Sequence, residues 1–259
     1  MNPAADLVNK LWRLCALLRK DGVTYQQYVT ELTYLLFLKM ASEQKDETRI
    51  PAQYRWKVLK TANETEVLKL YRQALIDLGD GEKVSDRAIV SIFQNAATIV
   101  RDPANLRKLI NAIDELHWFT EERDSFGDAY EGLLQRMAEE TKRGAGQYFT
   151  PRALIDVMVR LMQPEAGEII EDPACGTGGF LIAANLHMKA ETDDYFTLSP
   201  KQQAFQLQDA LRGVENVPDT YRLLLMNLYL HSIDPNNVVL GDTLSPTGAD
   251  KKFRNVDLI

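Results

Sequence analysis

A glycine-rich turn is the stretch of this sequence whose residues are most typical of ligand chemistry. It reads Asp172-Pro173-Ala174-Cys175-Gly176-Thr177-Gly178-Gly179-Phe180. Apolar runs precede and follow it, so the order predicts a strand, a turn and the first turn of a helix. Gly176 and Gly178 can adopt positive φ and let a ligand approach the backbone, while the free N–H groups at a helix start favour negative or polar ligand atoms. The same turn could be an ordinary strand-to-helix connection, and its spacing is not the dinucleotide fingerprint G-x-G-x-x-G.

Three acidic residues stand at the ends of three successive predicted strands: Asp172, Glu215 and Asp242. In a parallel sheet such positions meet at the carboxyl edge, where ligands bind. An acid that ends the second strand suits bidentate hydrogen bonding to ribose hydroxyls, and we assign that role to Glu215. Each acid alone could instead be a helix cap, as we expect of Asp219. Three acids in register nevertheless favour a ligand site.

Strands and helices alternate in the second half of the chain. The patterns predict strands at residues 168–171, 212–215 and 237–240, a fourth strand that starts at residue 256, and helices over residues 178–190, 201–211 and 219–232. This order predicts a parallel sheet with right-handed crossovers. We predict two domains, residues 1–143 and residues 144–259, joined at Gly144 and Gly146.

The first domain is predicted to be all-helical. Apolar residues recur at helical spacing over residues 6–20, 24–40, 64–78, 85–93, 102–116 and 125–137. The expected caps are Thr24, Ser85 or Asp86, and Asp102 followed by Pro103. The domain has no catalytic constellation, and His117 has no second His or Cys at ligand spacing. Helical domains attached to an enzyme commonly serve assembly.

A second motif stands shortly before the glycine-rich turn. It reads Gly146-Gln147-Tyr148-Phe149-Thr150-Pro151-Arg152. Together the two motifs resemble the S-adenosylmethionine (AdoMet) site of amino-methylating DNA methyltransferases and, more closely, the modification subunit of type I restriction-modification systems. The resemblance extends over nearly the whole chain, since the helical first domain also matches in character. It implies an all-helical domain followed by a truncated Rossmann-like, AdoMet-dependent methyltransferase domain with a mostly parallel sheet.

The resemblance implies that AdoMet is the cofactor and assigns the residues that bind it. These are Gln147, Tyr148, Phe149, Thr150, Pro151, Arg152, Asp172, Ala174, Gly176, Thr177, Gly178, Gly179, Glu215 and Asp242. By the same resemblance, Asp172 lies near the methionine part, Asp242 meets the adenine amino group, and Thr150 with its neighbours closes over the methionine end. The alternative for Thr150-Pro151 is a plain helix cap. The helix that follows carries Leu154, Ile155, Met158, Leu161 and Met162.

The residues that act on the target base are expected outside this sequence. In the family, an Asn-Pro-Pro-aromatic turn after the fourth strand accepts hydrogen bonds from the amino group of a flipped adenine and stacks on the base. No Asn-Pro-Pro or Asp-Pro-Pro occurs in the 259 residues. The catalytic turn is therefore expected beyond Ile259, no catalytic residue is assigned within the chain, and the isolated chain is predicted to be inactive.

The resemblance also implies partners: double-stranded DNA with the target adenine flipped, a specificity subunit, a second modification subunit, and the restriction subunit of the full complex. The first domain would pack beside the DNA and contact neighbouring subunits. Two alternatives stay open, namely an AdoMet-binding and assembly module without activity of its own, and a methyltransferase that acts on RNA, protein or a small molecule. A nucleotide-dependent oxidoreductase is disfavoured by the glycine spacing.

Charge and composition limit the remaining classes. The net charge is −7, with 21 basic and 22 acidic residues in 1–143 and 9 basic and 15 acidic residues in 144–259. DNA binding must therefore be local or assisted by a partner.

Cys15 and Cys175 imply no disulfide, and we interpret Cys175 as a small packing residue in preference to a nucleophile for cytosine-5 methylation. Because no run approaches the roughly 18 apolar residues of a membrane span and no signal peptide begins the chain, we expect a cytoplasmic protein without a membrane partner.

Overall fold

The chain folds as two units, Met1–Gln147 and Tyr148–Ile259. The computed structural model describes residues 3–19, 22–43, 47–116, 119–120, 123–141, 150–245 and 255–259. The fold class predicted from the sequence is confirmed, with a helical first unit and a second unit in which helices alternate with parallel strands. The predicted domain boundary at residues 143 and 144 lies outside the described residues and stays a prediction.

Helices make up most of the described part of the first unit. They are α1 (Pro3–Arg19), α2 (Tyr25–Glu43), α3 (Trp56–Thr61), α4 (Glu64–Leu78), α5 (Arg87–Phe93), α6 (Pro103–Asp114) and α7 (Ser125–Thr141). Two short strands, β1 (Phe119–Thr120) and β2 (Arg123–Asp124), pair antiparallel just before α7.

Side-chain caps begin three of these helices where the sequence predicts them. The hydroxyl of Thr24 accepts from the Gln27 N–H at 3.2 Å, and the Gln27 side chain accepts from the Thr24 N–H at 3.0 Å. Asp86 caps α5 by accepting from two N–H groups of its first turn, and Asp102 caps α6 in front of Pro103. Each cap satisfies N–H groups that a helix start leaves unpaired and stabilises the helix by about 1 kcal/mol.

Helix α2 forms the centre of the first unit. From Tyr28 to Ala41, all of its residues except Thr30 are buried. The sequence predicts a one-sided apolar stripe, and this prediction is too narrow because α1, α3, α6 and α7 all pack against α2. The buried carboxylate of Glu31 accepts from the Thr98 hydroxyl at 2.8 Å and from the Ile99 N–H at 2.9 Å. Burial raises the pKa of Glu31, and these hydrogen bonds oppose the rise.

The first unit departs from the sequence-based prediction in three places. The sequence did not predict α3, whose six residues are too few to show a helical period. Helix α6 ends at Asp114, short of the predicted residue 116. The β1–β2 pair is an exception to the all-helical prediction, because strands of two residues leave no alternating pattern to detect. The lone His117 lies outside the described residues.

The second unit alternates helices and strands from Arg152 onward. Its elements are α8 (Arg152–Met162), β3 (Ile170–Asp172), α9 (Gly179–Glu191), α10 (Pro200–Gln208), β4 (Leu211–Glu215), α11 (Pro218–Leu230) and β5 (Val238–Leu240). Ser199 and Gln202 form a capping box at the start of α10. Helix α10 was predicted to reach Leu211 but ends at Gln208, because Leu211 already belongs to β4.

The three strands of the second unit form a parallel sheet in the order β3-β4-β5. Leu258 forms a parallel bridge with Ile170 on the other edge of β3, where the sequence predicts a fourth strand from residue 256. Successive strands advance in one direction from β3 to β5, so their carboxyl ends lie along one edge. Gly213 in β4 is required by close packing, because a Cβ there would lie 2.8 Å from the Cys175 Sγ atom.

Helix α8 packs against α9 through few residues. Ile155 and Val159 are buried against Ala183 and Phe180. A Cβ at Gly179 would lie 2.8 Å from the Cδ1 atom of Ile155, so the glycine lets the two helices approach. The apolar stripe predicted for α8 is otherwise exposed in this structure, at Leu154, Met158, Leu161 and Met162.

Two predicted caps in the second unit are wrong. Helix α8 begins at Arg152 with Pro151 at the capping position and no side-chain hydrogen bond to the first turn, so Thr150 does not cap it. Helix α11 begins after Val217, and Asp219 instead lies in the first turn, where it pairs with Arg222 at 3.3 Å. Among the described helices, none is both long and apolar enough to cross a membrane.

Candidate functional site

The turn between β3 and α9 has the backbone conformation that its glycines predict. Gly176 has φ +53° and Gly178 has φ +87°, and Gly178 stands at the capping position of α9. The turn is held on the sheet by the Cys175 N–H, which donates to the Val214 carbonyl at 2.9 Å. The Gly178 N–H donates back to the Cys175 carbonyl at 2.7 Å and closes the turn.

This conformation leaves backbone donors available. Within the described residues, the N–H groups of Gly176, Thr177 and Gly179 donate to no acceptor. Unpaired N–H groups at the start of a helix attract negative or polar ligand atoms. The turn therefore offers several donors from one short stretch of backbone.

The three acids at the strand ends share one hydrogen-bond pattern. Each carboxylate accepts from the backbone N–H two residues later: Asp172 from Ala174 at 3.1 Å, Glu215 from Val217 at 2.7 Å, and Asp242 from Leu244 at 3.0 Å. None of the three acids caps a described helix, since the capping positions of α9 and α11 are Gly178 and Val217 and neither makes a side-chain hydrogen bond to its first turn. One oxygen of each acid instead orders its own loop. The second oxygen of each accepts no hydrogen bond from the described part of the chain. These oxygens are available as hydrogen-bond acceptors.

We call the carboxyl edge of the sheet, with Asp172, the turn 173–180, Glu215 and Asp242, the crevice, and its charge is negative. Burial raises the pKa of Asp172, the hydrogen bond from the Ala174 N–H opposes the rise, and the charge of Glu215 adds to it. Glu215 itself is only 8% exposed. The half-buried carboxylate of Asp172 and the buried carboxylate of Glu215 repel each other, so a ligand that brings positive charge or hydroxyl donors is stabilised there. A group of His, Cys, Asp and Glu suited to a metal ion is absent from the described ranges.

Cys175 has the packing role that the sequence predicts. Its side chain is 5% exposed, and its thiol donates to the Val214 carbonyl at 3.1 Å. Burial raises the pKa of the Cys175 thiol well above its ordinary value, and the charges of Asp172 and Glu215 raise it further. The thiolate that a nucleophile requires is therefore strongly disfavoured.

Two residues that the sequence patterns did not single out also shape the crevice. The Thr243 hydroxyl donates to the Pro173 carbonyl at 2.6 Å and so ties the loop after β5 to the loop after β3. The Asn227 amide donates to the Thr177 carbonyl at 2.8 Å from α11. Thr243 directly follows a predicted site residue, and Asn227 is the one amide in the apolar run 223–228. These positions could have drawn attention to the two residues, but they do not indicate which carbonyls the residues contact.

The structure brings one group of predicted site residues together and places the other only in part. Asp172, Ala174, the turn 176–179, Glu215 and Asp242 all lie at the carboxyl edge of the sheet. Thr150, Pro151 and Arg152 lie at the start of α8, which packs on the first residue of α9 through Ile155. Gln147, Tyr148 and Phe149 lie outside the described residues. The contact of residues 147–152 with a ligand stays a prediction.

The two glycines of this turn that have positive φ predict different substitution effects. Gly178→Ala is expected to lower the free energy of unfolding by about 2 kcal/mol, because the new Cβ would lie 2.7 Å from the Leu224 Cδ1 atom in addition to the unfavourable φ. Gly176→Ala is expected to cost about 1 kcal/mol from φ alone, because its Cβ would meet nothing within 4 Å. Urea unfolding of both variants checks the difference. Equal losses would contradict the packing described for Gly178.

Both halves of the chain match models of known protein families. The family model described as N-6 DNA Methylase matches residues 121–259, and the model described as HsdM N-terminal domain matches residues 7–113. The chain is 46% identical over 253 residues to the type I restriction enzyme StySPI methylase subunit of Salmonella potsdam, covering 94% of this chain and 47% of the relative. The chain thus spans about half the length of the curated relatives it matches.

Solved structures agree with this placement. A chain from a structure on complex assembly and conformational transition of the type I R-M system aligns with a TM-score of 0.68 at 25% identity, covering 92% of this chain and 51% of that one. The methyltransferase subunit of a type I restriction-modification system from Streptococcus thermophilus aligns with a TM-score of 0.68 at 18% identity. That alignment covers 98% of this chain and 62% of the other, and it supports the fold.

Proposed function

Because the chain belongs to the N-6 DNA methylase family, we propose that it is the cofactor-binding part of a type I modification subunit that methylates N6 of adenine in DNA. The observation that carries the proposal is the set of three carboxylates at the strand ends. Each of them keeps one oxygen for a ligand, beside a turn with unpaired N–H groups.

The residues of this crevice fit AdoMet. A ribose diol supplies two hydroxyl donors, which suit the second oxygen of Glu215. The adenine amino group of the cofactor suits Asp242, and the positively charged methionine end suits Asp172. The space beside Gly176 is open, since a Cβ there would meet no atom within 4 Å. The pyrophosphate of a dinucleotide would instead meet the negative charges of Glu215 and Asp172, which argues against an oxidoreductase.

The chain's own residues bind and orient the cofactor. When bound, AdoMet supplies an electrophilic methyl group. The turn 172–180 holds the methionine end while Glu215 and Asp242 fix the nucleoside end, so the direction of the methyl group is set by the sheet edge. Residues 147–152 close over the methionine end in this proposal. The acceptor for the target amino group is assigned to an Asn-Pro-Pro-aromatic turn, which the 259 residues do not contain.

The partners follow from the same assignment. We assign double-stranded DNA with a flipped target adenine as the substrate, and a specificity subunit, a second modification subunit and a restriction subunit as protein partners. The match of residues 7–113 to the HsdM N-terminal domain favours this assembly over a methyltransferase for RNA, protein or a small molecule. The net charge of −7 agrees with DNA binding that depends on partner subunits.

The test is methyl transfer from labelled AdoMet by the complete protein purified with its specificity subunit. Label is expected in duplex DNA as N6-methyladenine, and duplex already methylated at the target adenine is the matched control that should accept none. Incorporation into cytosine, RNA or protein would contradict the proposal. Binding of AdoMet without any transfer would favour the alternative of a binding and assembly module.

A further inference from the structure

Asn227 is an isolated amide inside the apolar core of the second unit. It lies in α11, where Leu223, Leu224, Leu225, Met226 and Leu228 are also buried. Its side chain is 1% exposed, its Nδ2 atom donates to the Thr177 carbonyl at 2.8 Å, and its Oδ1 atom has no hydrogen-bond partner in the described part of the chain. An apolar side chain would suit this environment better, because a buried polar atom without a partner destabilises the fold.

The bond from Asn227 acts on one peptide unit of the turn. The Thr177 carbonyl and the Gly178 N–H belong to the same planar trans peptide and point in opposite directions. The Gly178 N–H donates to the Cys175 carbonyl at 2.7 Å, and the Thr177 carbonyl accepts from Asn227. This peptide is therefore held at both ends.

Holding this peptide sets the direction of its neighbours. The Cys175 carbonyl accepts from Gly178, so the Gly176 N–H on the opposite side of its own peptide points away from that bond. The Gly176 and Thr177 N–H groups are two of the unpaired donors of the crevice. Without the bond from Asn227, the glycines on both sides of Thr177 would allow the peptide to rotate.

We propose that Asn227 is a positioning residue for cofactor binding, which keeps the N–H groups of the glycine turn aimed at the ligand by fixing the Thr177 carbonyl. The inference rests on the proposed function, since it takes AdoMet as the ligand of the turn. Asn227 stabilises a binding-competent turn at the expense of one unsatisfied buried oxygen. It acts through the backbone and need not touch the cofactor.

The experiment compares two variants of Asn227 with a matched control in the purified protein. Asn227→Leu keeps the number and branching of the side-chain heavy atoms and removes the donor, and Asn227→Asp keeps the shape but places an acceptor against the Thr177 carbonyl. Asn185→Leu is the control, because Asn185 is a buried amide of α9 that also has one unpaired atom and bonds to Tyr195 instead of the turn. Hydrogen exchange of the peptide 173–180 reports the turn without cofactor, titration calorimetry reports AdoMet affinity, and thermal unfolding reports stability.

Both Asn227 variants are expected to speed exchange in the peptide 173–180 several-fold and to weaken AdoMet binding roughly 5- to 10-fold, the size of one lost hydrogen bond. The Tm of the Asn227→Leu variant should be no lower than that of Asn185→Leu. The Asn185→Leu variant should leave hydrogen exchange of the peptide 173–180 and the affinity for AdoMet unchanged. The inference would be overturned if the Asn227 variants exchanged the peptide 173–180 as slowly as the unmodified protein. It would also be overturned if Asn185→Leu lost as much AdoMet affinity as the Asn227 variants. If the unmodified protein bound no AdoMet, the proposed function and the cofactor role of Asn227 would fall together, and the exchange data alone would still show whether Asn227 holds the turn.

Discussion

Replacing Glu215 with Gln is expected to weaken AdoMet binding by about 100-fold. One oxygen of the Glu215 carboxylate accepts from the Val217 N–H at 2.7 Å, and the other is the oxygen that we propose binds the ribose. Hydrogen bonds to a charged group contribute roughly 1.5–3 kcal/mol each. Replacing the carboxylate that accepts from the ribose hydroxyls by a neutral amide is therefore expected to reduce the binding free energy by about 2.7 kcal/mol. A Gln side chain still accepts from Val217, which keeps the turn after β4, but it directs N–H groups at the hydroxyls. Titration calorimetry measures the change.

Glu171→Gln is the matched control for this experiment. Glu171 is also a buried acid of the sheet, but it lies on the opposite face of β3 from Asp172 and its register partner is Arg212. Its substitution is expected to leave AdoMet affinity within about twofold, since a side chain on that face meets no ligand at the strand ends. Equal affinity in the Glu215 variant and the unmodified protein would show that the ribose lies elsewhere. Thermal unfolding of both variants confirms that each is folded.

Replacing Asp114 with Ala is expected to lower the free energy of unfolding of the first unit by about 3 kcal/mol. Asp114 accepts from Lys39 at 3.0 Å and from the Trp56 ring N–H at 2.8 Å, and it also pairs with Lys60. The Lys39 side chain is only 7% exposed. Removing the carboxylate leaves that ammonium with Glu43 as its one acidic partner in the described part of the chain, and it removes the acceptor of the indole N–H. Tryptophan fluorescence during urea unfolding follows this unit, because all three tryptophans precede residue 119.

The lowered pKa of Asp114 accounts for part of the expected dependence of stability on pH. Burial opposes ionisation of Asp114, but hydrogen bonds from Lys60, Trp56 and Lys39 outweigh it and lower its pKa from the ordinary 3.8 to about 2. A depressed pKa in the folded state stabilises the protein above the unfolded pKa, by about 2 kcal/mol here. That contribution is lost as the pH falls from about 4 to about 2. The Ala variant should lack this part of the acid transition.

Two further variants separate the contribution of the Lys60–Asp114 ion pair from that of the hydrogen bond between Trp56 and Asp114. Lys60→Ala removes a partner whose side chain is 50% exposed and is expected to cost about 0.5 kcal/mol. Asp114→Asn keeps an acceptor for the Trp56 N–H and should lie between the two. If Asp114→Ala cost no more than Lys60→Ala, the cluster would contribute little to the stability of the first unit.

The sequence by itself determined the local features of this protein. Asp86 and Asp102 cap helices because their short acidic side chains reach the N–H groups of the next turn, which depends on nothing distant. Gly176 and Gly178 have positive φ, as their place between a strand and a helix predicts. The alternation of strands and helices gave the parallel sheet, because a crossover helix allows few topologies. These features follow from residue type and spacing over a few positions.

Only the tertiary structure decided which side chains meet. Asp114 ends a helix, where a carboxylate is normally unfavourable, and it is stabilised by lysines and an indole that are distant in sequence. Leu161 has the helical spacing of a core residue and is 77% exposed, because spacing defines a face of α8 and not what packs against it. Asn227 bonds to a carbonyl 50 residues away, and no local pattern marks that contact. Hydrogen bonds and burial between distant segments depend on how elements pack, and that packing is a property of the whole chain.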